Sequence, residues 1–113
     1  MARTILSNAF SLNMLNVLMP AAGYSHSINV KTLYMDEVKD ILEDGFESSI
    51  GHADIAAILS EMLEIEVTPN RRNDNLLPGD VLIVAQYIGP RLAEGATSLP
   101  EGAEIRFFRV RVR

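Results

Sequence analysis

Residues 81–87, VLIVAQY, form the stretch of sequence that decides the fold. An apolar run that is almost continuous over this length is typical of a strand covered on both faces. A second strand is predicted at residues 105–112, IRFFRVRV, where apolar residues alternate with Arg towards the end. The C-terminal part of the chain therefore supplies two strands of a predicted sheet.

Outward from this run, predicted strands alternate with predicted helices. Strands are expected at residues 3–6, 26–34 and, briefly, 65–67, and helices at about 11–18, 36–44 and 52–63. Gly45 is expected to end the helix that begins at Asp36. The alternation predicts an α/β fold, with residues 1–113 forming a single domain whose mixed sheet of about five strands is flanked by helices.

The composition excludes several classes of protein. The 113 residues are 48% apolar and include no Cys, which fits one globular core and excludes disulfides, thiolate zinc sites and a cysteine nucleophile. No apolar run approaches the roughly 18 residues that a membrane span needs, and the N-terminal stretch does not resemble a secretory signal. We therefore expect a cytoplasmic protein.

The charge is distributed unevenly along the chain. The net charge of −5 argues against a general duplex-DNA binder, and ten of the acids lie between Asp36 and Glu66. All bases after residue 66 are Arg, a residue suited to bidentate contacts with phosphate. The simplest interpretation of the terminal set is the solvated face of a strand; that set is Arg106, Arg109, Arg111 and Arg113.

His52 is the strongest single candidate for chemistry. It follows Ile50-Gly51 at or near the first position of a predicted helix, where unpaired N–H groups favour an anion. A His placed there can donate a proton to an oxygen beside a bound phosphate. The alternative is a helix-start His whose ring simply hydrogen-bonds to the backbone.

A second helix start lies in the segment SNAFS, directly after the first predicted strand. Asn8, Ser11 and Asn13 place short polar side chains beside free N–H groups, an arrangement that could hold an anion. No nucleotide-binding glycine motif is present, and capping alone explains Ser11.

Arg91 and Glu94 lie three residues apart in PRLAEG, close enough to share one face of a helical turn. They could form a local ion pair, or the Arg could stabilise charge at phosphorus while the Glu orients the Arg or a His. No spacing of acids or His typical of a catalytic metal site is present.

Three segments in order resemble one known family. They are LSNAFSLNML near the N-terminus, SSIGHADIAAILSEML in the middle and DVLIVAQYIGPRLAEG near the end. Together they are similar to the small anti-CRISPR ring nucleases that viruses direct against type III CRISPR systems, a family with bacterial and archaeal-virus relatives. The resemblance runs from residue 5 to the C-terminal strand.

The resemblance implies a homodimeric α/β protein that binds cyclic tetra-adenylate in a two-fold symmetric cleft. Members cleave this second messenger without a metal or a cofactor. A ribose 2′-hydroxyl attacks the adjacent phosphorus, the 5′-oxygen leaves, and linear di-adenylates with a 2′,3′-cyclic phosphate result.

The resemblance also assigns roles to individual residues. His52 matches the general acid that protonates the leaving 5′-oxygen, while Arg91 and Glu94 match the pair that supports the scissile phosphate and that His. The ligand contacts that it implies are Asn8, Ser11 and Asn13 at the first helix start, Arg71 on a loop over the ligand, and Gln86 near the end of the long apolar strand. The segment between Gln86 and Arg91 is one residue longer than in some relatives.

Two other functions remain open from the sequence. The chain could be a dimer that sequesters a cyclic oligonucleotide without cleaving it, or a structural or interaction protein of a virus or mobile element. The dense acidic run does not separate these hypotheses, because solvated helix faces commonly have such a composition.

Overall fold

The chain is described by a computed structural model that covers residues 3–112. In chain order its elements are β1 (Thr4–Ser7), a 3₁₀ helix (Leu12–Leu15), β2 (Ile28–Leu33), α1 (Met35–Glu43), β3 (Glu47–Ser49), α2 (Ala53–Leu63), β4 (Val81–Ile88) and β5 (Glu104–Val112). The predicted α/β class and the mixed sheet of five strands are confirmed.

The five strands form one sheet in the order β2-β5-β4-β1-β3. β1 runs parallel to both of its neighbours, so that Leu6 lies opposite Ile83 on one side and Ser48 on the other. β5 is antiparallel to β4 and to β2. The carboxyl ends of β1, β3 and β4 consequently meet at one edge of the sheet.

Apolar side chains cover both faces of the sheet. On one face, Ile83 and Ala85 of β4 pack with residues of α1 and α2 such as Val38 and Leu59. On the other face, the alternate residues Leu82 and Val84 pack with the segment around the 3₁₀ helix and with Leu76. The prediction that this run is covered on both sides is therefore confirmed for residues 82–85, whereas Gln86 is exposed.

The two α-helices lie close to their predicted limits. The Glu37 carboxylate accepts a hydrogen bond of 3.0 Å from the Tyr34 N–H at the start of α1, satisfying a donor that the helix leaves free. Gly45 follows the end of α1 with φ of 108°, a conformation that glycine adopts without a steric penalty. No helix within residues 3–112 is both long and apolar enough to cross a membrane.

Two expectations about secondary structure are corrected, and one strand was not predicted. The helix predicted at residues 11–18 is only the 3₁₀ helix Leu12–Leu15: Ser11 caps its start, and it ends early because Asn16 and Val17 are weak helix formers. Residues 65–67 are not a strand. The fifth strand is instead β3, whose three polar residues give no apolar signal.

The C-terminal arginines belong to a strand inside the sheet, between β2 and β4. Arg106 and Arg111 are exposed, as a solvated face requires, whereas Arg109 is half-buried and donates to the Asn29 side chain at 3.5 Å. Arg113 lies outside the described residues.

An ion pair with a buried carboxylate holds the amino ends of β1 and β4 together. The Asp80 carboxylate accepts hydrogen bonds from the Arg3 guanidinium at 2.7 and 3.2 Å and from the backbone N–H groups of Arg3 and Leu77 at 3.0 and 2.9 Å. Burial raises the pKa of Asp80, but the hydrogen bonds from Arg3 and Leu77 outweigh it and leave the pKa below its usual value. The parallel pair β1–β4 is thereby fixed at the edge opposite the carboxyl ends.

Replacing Asp80 with Asn should lower the free energy of unfolding at pH 7 by about 1–3 kcal/mol, the cost of weakening charged, buried hydrogen bonds. Because folding lowers the Asp80 pKa, its contribution is complete above the ordinary Asp pKa of about 3.9 and is lost as the pH falls through the folded value. We therefore expect urea unfolding of the native protein and Asp80→Asn to show a difference in the free energy of unfolding that becomes smaller between pH 7 and pH 3.

The matched control is Glu104→Gln, because Glu104 pairs with Arg106 where both side chains are more than half exposed. That exposed pair should contribute less than about 1 kcal/mol. Equal stability of Asp80→Asn and the native protein at pH 7 would contradict the assignment, as would a gap that does not change with pH.

Candidate functional site

An open cleft of about 840 Å³ lies where the carboxyl ends of the three parallel strands meet. This carboxyl-end cleft has the position at which open α/β sheets commonly bind ligands. It is lined by Asn8, His52, Asp54, Ile55, Gln86, Tyr87, Gly89, Arg91, Leu92 and Glu94. Five of the eight residues predicted as site residues are thus brought together, from segments far apart in the sequence.

His52 is the N-cap residue of α2, and its carbonyl accepts the helix's first hydrogen bond, from the Ala56 N–H at 3.0 Å. The His52 side chain makes no capping hydrogen bond. The alternative of a His bonded to the helix start therefore does not describe this residue. An exposed imidazole stands at the positive end of α2, where it can reach an anionic ligand in the cleft.

Asn8 links β1 to the start of α2. Its side-chain oxygen accepts a hydrogen bond of 3.4 Å from the Gly51 N–H. This contact uses the carbonyl half of the amide and leaves the NH₂ group as a donor for a ligand. The first strand end and the second helix start thus form one wall of the cleft.

Arg91 and Glu94 lie in the connection between β4 and β5, which forms turns rather than the predicted helical turn. Both are exposed, and no ion pair joins them or engages either side chain within residues 3–112. The local ion pair considered from the sequence is therefore absent from the structure. A cation and a carboxylate remain available in the cleft for a ligand.

Gln86 is exposed near the end of β4, although it belongs to the run that is predicted to be covered on both faces. It lines the carboxyl-end cleft and also a smaller concavity beside it. Gln86 and Asn8 therefore form the boundary that the two concavities share.

Ser11 and Asn13 lie outside the carboxyl-end cleft. The Ser11 hydroxyl accepts a hydrogen bond of 3.2 Å from the Asn13 N–H and so caps the 3₁₀ helix. Both residues line a separate concavity of about 440 Å³, formed with residues 72–75. Within one chain they do not share a site with Asn8, and their role as ligand contacts stays a prediction.

Arg71 is exposed and borders the cleft wall without lining it. Its Cγ lies 3.7 Å from the position that a Cβ would take at Gly51, one residue before His52. The preceding Asn70 is tied to the β3 end by its N–H, which donates to the Ile50 carbonyl at 2.8 Å, and by its side chain, which donates to the Ser48 carbonyl at 2.8 Å. The backbone that carries Arg71 is thus attached to the sheet.

A charged network fixes the loop beyond Arg71 as well. The Arg72 guanidinium lies 3.1 Å from the Glu47 carboxylate and 2.9 Å from that of Asp74. The Asp74 side chain is buried and accepts a hydrogen bond from the Ser49 hydroxyl. This loop belongs to the β3 edge, and contact between Arg71 and a ligand stays a prediction.

Sequence reasoning missed several cleft residues. Asp54 is an ordinary acid in the first turn of α2, and Tyr87 belongs to the apolar run of β4, so neither has a distinctive pattern. No group of three or more His, Asp or Glu side chains in the part of the chain that the structure describes is placed to hold a metal ion.

Comparisons with known proteins identify relatives among archaeal viruses. The profile of the STIV B116-like family matches residues 4–108. Uncharacterized protein 26 of Sulfolobus islandicus filamentous virus is 34% identical over 74 residues, which are 65% of this chain and 62% of that protein. The match therefore spans less than two thirds of that relative's length.

A solved structure shares the whole fold. B116 of Sulfolobus turreted icosahedral virus superposes with a TM-score of 0.76 at 25% sequence identity. The alignment covers 97% of this chain and 99% of the B116 chain, so the α/β architecture described above is that of a known viral protein.

Proposed function

The chain belongs to the STIV B116-like family of viral proteins, and we propose that it is a metal-independent ring nuclease. Its substrate would be cyclic tetra-adenylate, cleaved to linear di-adenylates with a 2′,3′-cyclic phosphate in the cytoplasm of a prokaryotic host. The activity would switch off type III CRISPR signalling. One observation carries the proposal: the His52 imidazole makes no capping hydrogen bond and lines the same cleft as Arg91 and Glu94.

The proposed reaction uses a nucleophile that the substrate supplies. A ribose 2′-oxygen attacks the neighbouring phosphorus, and the bond from phosphorus to the 5′-oxygen breaks. His52 donates a proton to the departing oxygen, the attacking hydroxyl releases its proton to water, and His52 regains a proton from water, so the overall proton balance is kept. General-acid assistance of this kind contributes about 10²–10⁴-fold to a rate.

Arg91 has the chemistry to stabilise the negative charge that develops on the phosphorus oxygens. Its guanidinium has no protein partner among the described residues, so a phosphate would meet a cation that is not already neutralised. The N-terminus of α2 adds partial positive charge at the same end of the sheet. Glu94 lines the same cleft, and in the proposed reaction it orients Arg91 or His52 once the ligand is bound.

Positioning would supply much of the remaining acceleration. Attack by a 2′-hydroxyl requires the oxygen, phosphorus and leaving oxygen to lie in line, and holding a ring in that geometry removes an entropic cost. The amide groups of Asn8 and Gln86 line the cleft and offer hydrogen bonds for this purpose.

The proposal includes a homodimer, because a ring of four identical nucleotides has two-fold symmetry. An apolar groove of about 330 Å³ adjoins the carboxyl-end cleft. It is lined by Ala9, Phe10, Val30, Val84, Phe108 and Val110, together with the shared residues Asn8 and Gln86. Val30 is 56% exposed, and a second copy covering this groove would bring two clefts close to one axis.

The proposed activity is tested by incubating purified protein with cyclic tetra-adenylate in EDTA. Mass spectrometry identifies the product, and single-turnover kinetics give the rate of cleavage. The native protein should convert the ring to di-adenylate, and His52→Ala should slow the reaction by about 10²–10⁴-fold. The matched control is His26→Ala, since the His26 ring contacts the Leu18 carbonyl at 3.1 Å and does not line the cleft.

Three outcomes would contradict the proposal in different ways. Binding of the ring with its mass unchanged would identify a sequestering protein. No binding at all would favour a viral structural or interaction protein. Full activity in His52→Ala would remove His52 as the acid.

The dimer is tested by placing a charge in the apolar groove. Val30→Glu should weaken self-association by about tenfold or more, because a carboxylate would be buried without a partner, and tenfold corresponds to about 1.4 kcal/mol. Val17→Glu introduces the same charge at a residue that is 53% exposed outside the groove, and it should leave association unchanged. Analytical ultracentrifugation over a range of concentrations distinguishes the two variants.

A monomeric native protein at every concentration would contradict the dimer. Equal association of Val30→Glu and Val17→Glu would show that the interface lies elsewhere.

A further inference from the structure

The connection that carries Arg91 runs from residue 89 to residue 103, between β4 and β5. Its described backbone hydrogen bonds lie later in the segment, from the Ala96 N–H to the Ala93 carbonyl and from the Ala103 N–H to the Pro100 carbonyl. The Arg91 side chain has no partner within residues 3–112. The position of Arg91 therefore depends on what holds the first residues of the connection.

Tyr87 holds the first residues of the connection. It is half-buried near the end of β4, opposite Ile105 of β5, and its side chain packs against the core on the helix-covered face. Its hydroxyl donates a hydrogen bond to the Pro90 carbonyl. Because the carbonyl of residue 90 and the N–H of residue 91 belong to one planar peptide group, this bond orients the backbone at Arg91.

Gly89 allows the connection to turn within this contact. A Cβ at residue 89 would lie 2.7 Å from the Ala103 Cβ, 2.9 Å from the Ala103 Cα and 3.2 Å from the Tyr87 hydroxyl oxygen. Two of these atoms belong to Ala103, the residue directly before β5. Absence of a side chain at residue 89 thus lets the two ends of the connection meet beside the Tyr87 hydroxyl.

We propose that Tyr87 is a positioning residue for Arg91, acting through the Pro90 carbonyl. The inference rests on the proposed function, since the reaction it serves is cleavage of a phosphodiester. Arg91 is assigned to charge that develops as the bond breaks, so loss of the Tyr87 hydroxyl should reduce kcat and leave KM unchanged.

A direct role for Tyr87 predicts a different result. Tyr87 itself lines the carboxyl-end cleft, and a hydroxyl that bound the ring in its ground state would raise KM when removed. Separate measurement of kcat and KM therefore distinguishes positioning from direct binding.

The experiment compares Tyr87→Phe with Tyr24→Phe, a loss of the same hydroxyl at a residue that is 57% exposed and lies outside the cleft. We expect kcat of Tyr87→Phe to fall by about 10- to 100-fold with KM unchanged, the scale of effect that a small misplacement of a catalytic group produces. Tyr24→Phe should behave as the native protein, and urea unfolding should show that both variants are folded.

A second measurement does not depend on nuclease activity. Trypsin cleaves after Arg91 only when the local backbone opens, so the rate at which the fragment ending at Arg91 forms reports on the contact made by Tyr87. Tyr87→Phe should release this fragment faster than Tyr24→Phe.

Unchanged kcat in Tyr87→Phe would overturn the proposal, and so would a raised KM with kcat unchanged. Equal tryptic cleavage of the two variants would overturn the contact itself. If the native protein binds the ring without cleaving it, the ring-nuclease assignment and the kinetic role of Tyr87 both fail, while the trypsin comparison still decides whether Tyr87 holds the backbone at Arg91.

Discussion

The site of this protein depends on the parallel pairing of β1 with both of its neighbours. Ile5 and Leu6 are fully buried on opposite faces, so β1 cannot shift by one residue without turning both apolar side chains to the wrong side. The Arg3–Asp80 ion pair closes the amino end of the β1–β4 pair. At the other end, three chain segments leave the sheet together and place Asn8, His52 and the connection after β4 around one cleft.

The same arrangement determines which charges a phosphate would meet at the proposed site of this acidic protein. The net charge of −5 is an average over the whole surface, and eight of the ten acids between Asp36 and Glu66 are exposed. The start of α2 faces the cleft, where its free N–H groups and Arg91 offer positive charge over the short distances that decide contact with a small ligand. The carboxylates of Asp54 and Glu94 line the same cleft, so a phosphate there would be held by these directed donors and not by a net positive charge.

Much of the fold could be predicted because its main elements carry strong local patterns. The apolar run of β4, the stripe of α1 and the Gly45 stop each follow from residues close together in the sequence, and so does the position of His52 at a helix start. β3 could not be predicted, since Glu47–Ser49 is short and polar and pairs only because β1 lies beside it.

Site residues could be predicted where the signal lies within one short segment of the sequence. Arg91 and Glu94 do lie together in the cleft, but through turns rather than a helical turn. The attachment of the Arg71 loop to β3 and the contact of Tyr87 with Pro90 depend on folded geometry that the spacing of residues does not encode. Ser11 likewise lies outside the cleft, at the start of the 3₁₀ helix beside residues 72–75, a separation that only the folded chain shows.

The chemical form of the phosphate at the end of the cleaved product tests the proposed ring-nuclease reaction most directly. Cyclic tetra-adenylate should be incubated with the native protein in EDTA, and the phosphorus resonances and mass of the product recorded before any later hydrolysis. The proposed reaction yields a di-adenylate that ends in a 2′,3′-cyclic phosphate, because the 2′-oxygen of the substrate is the nucleophile. A product that carries a 5′-phosphate, or the ring recovered intact, would contradict it.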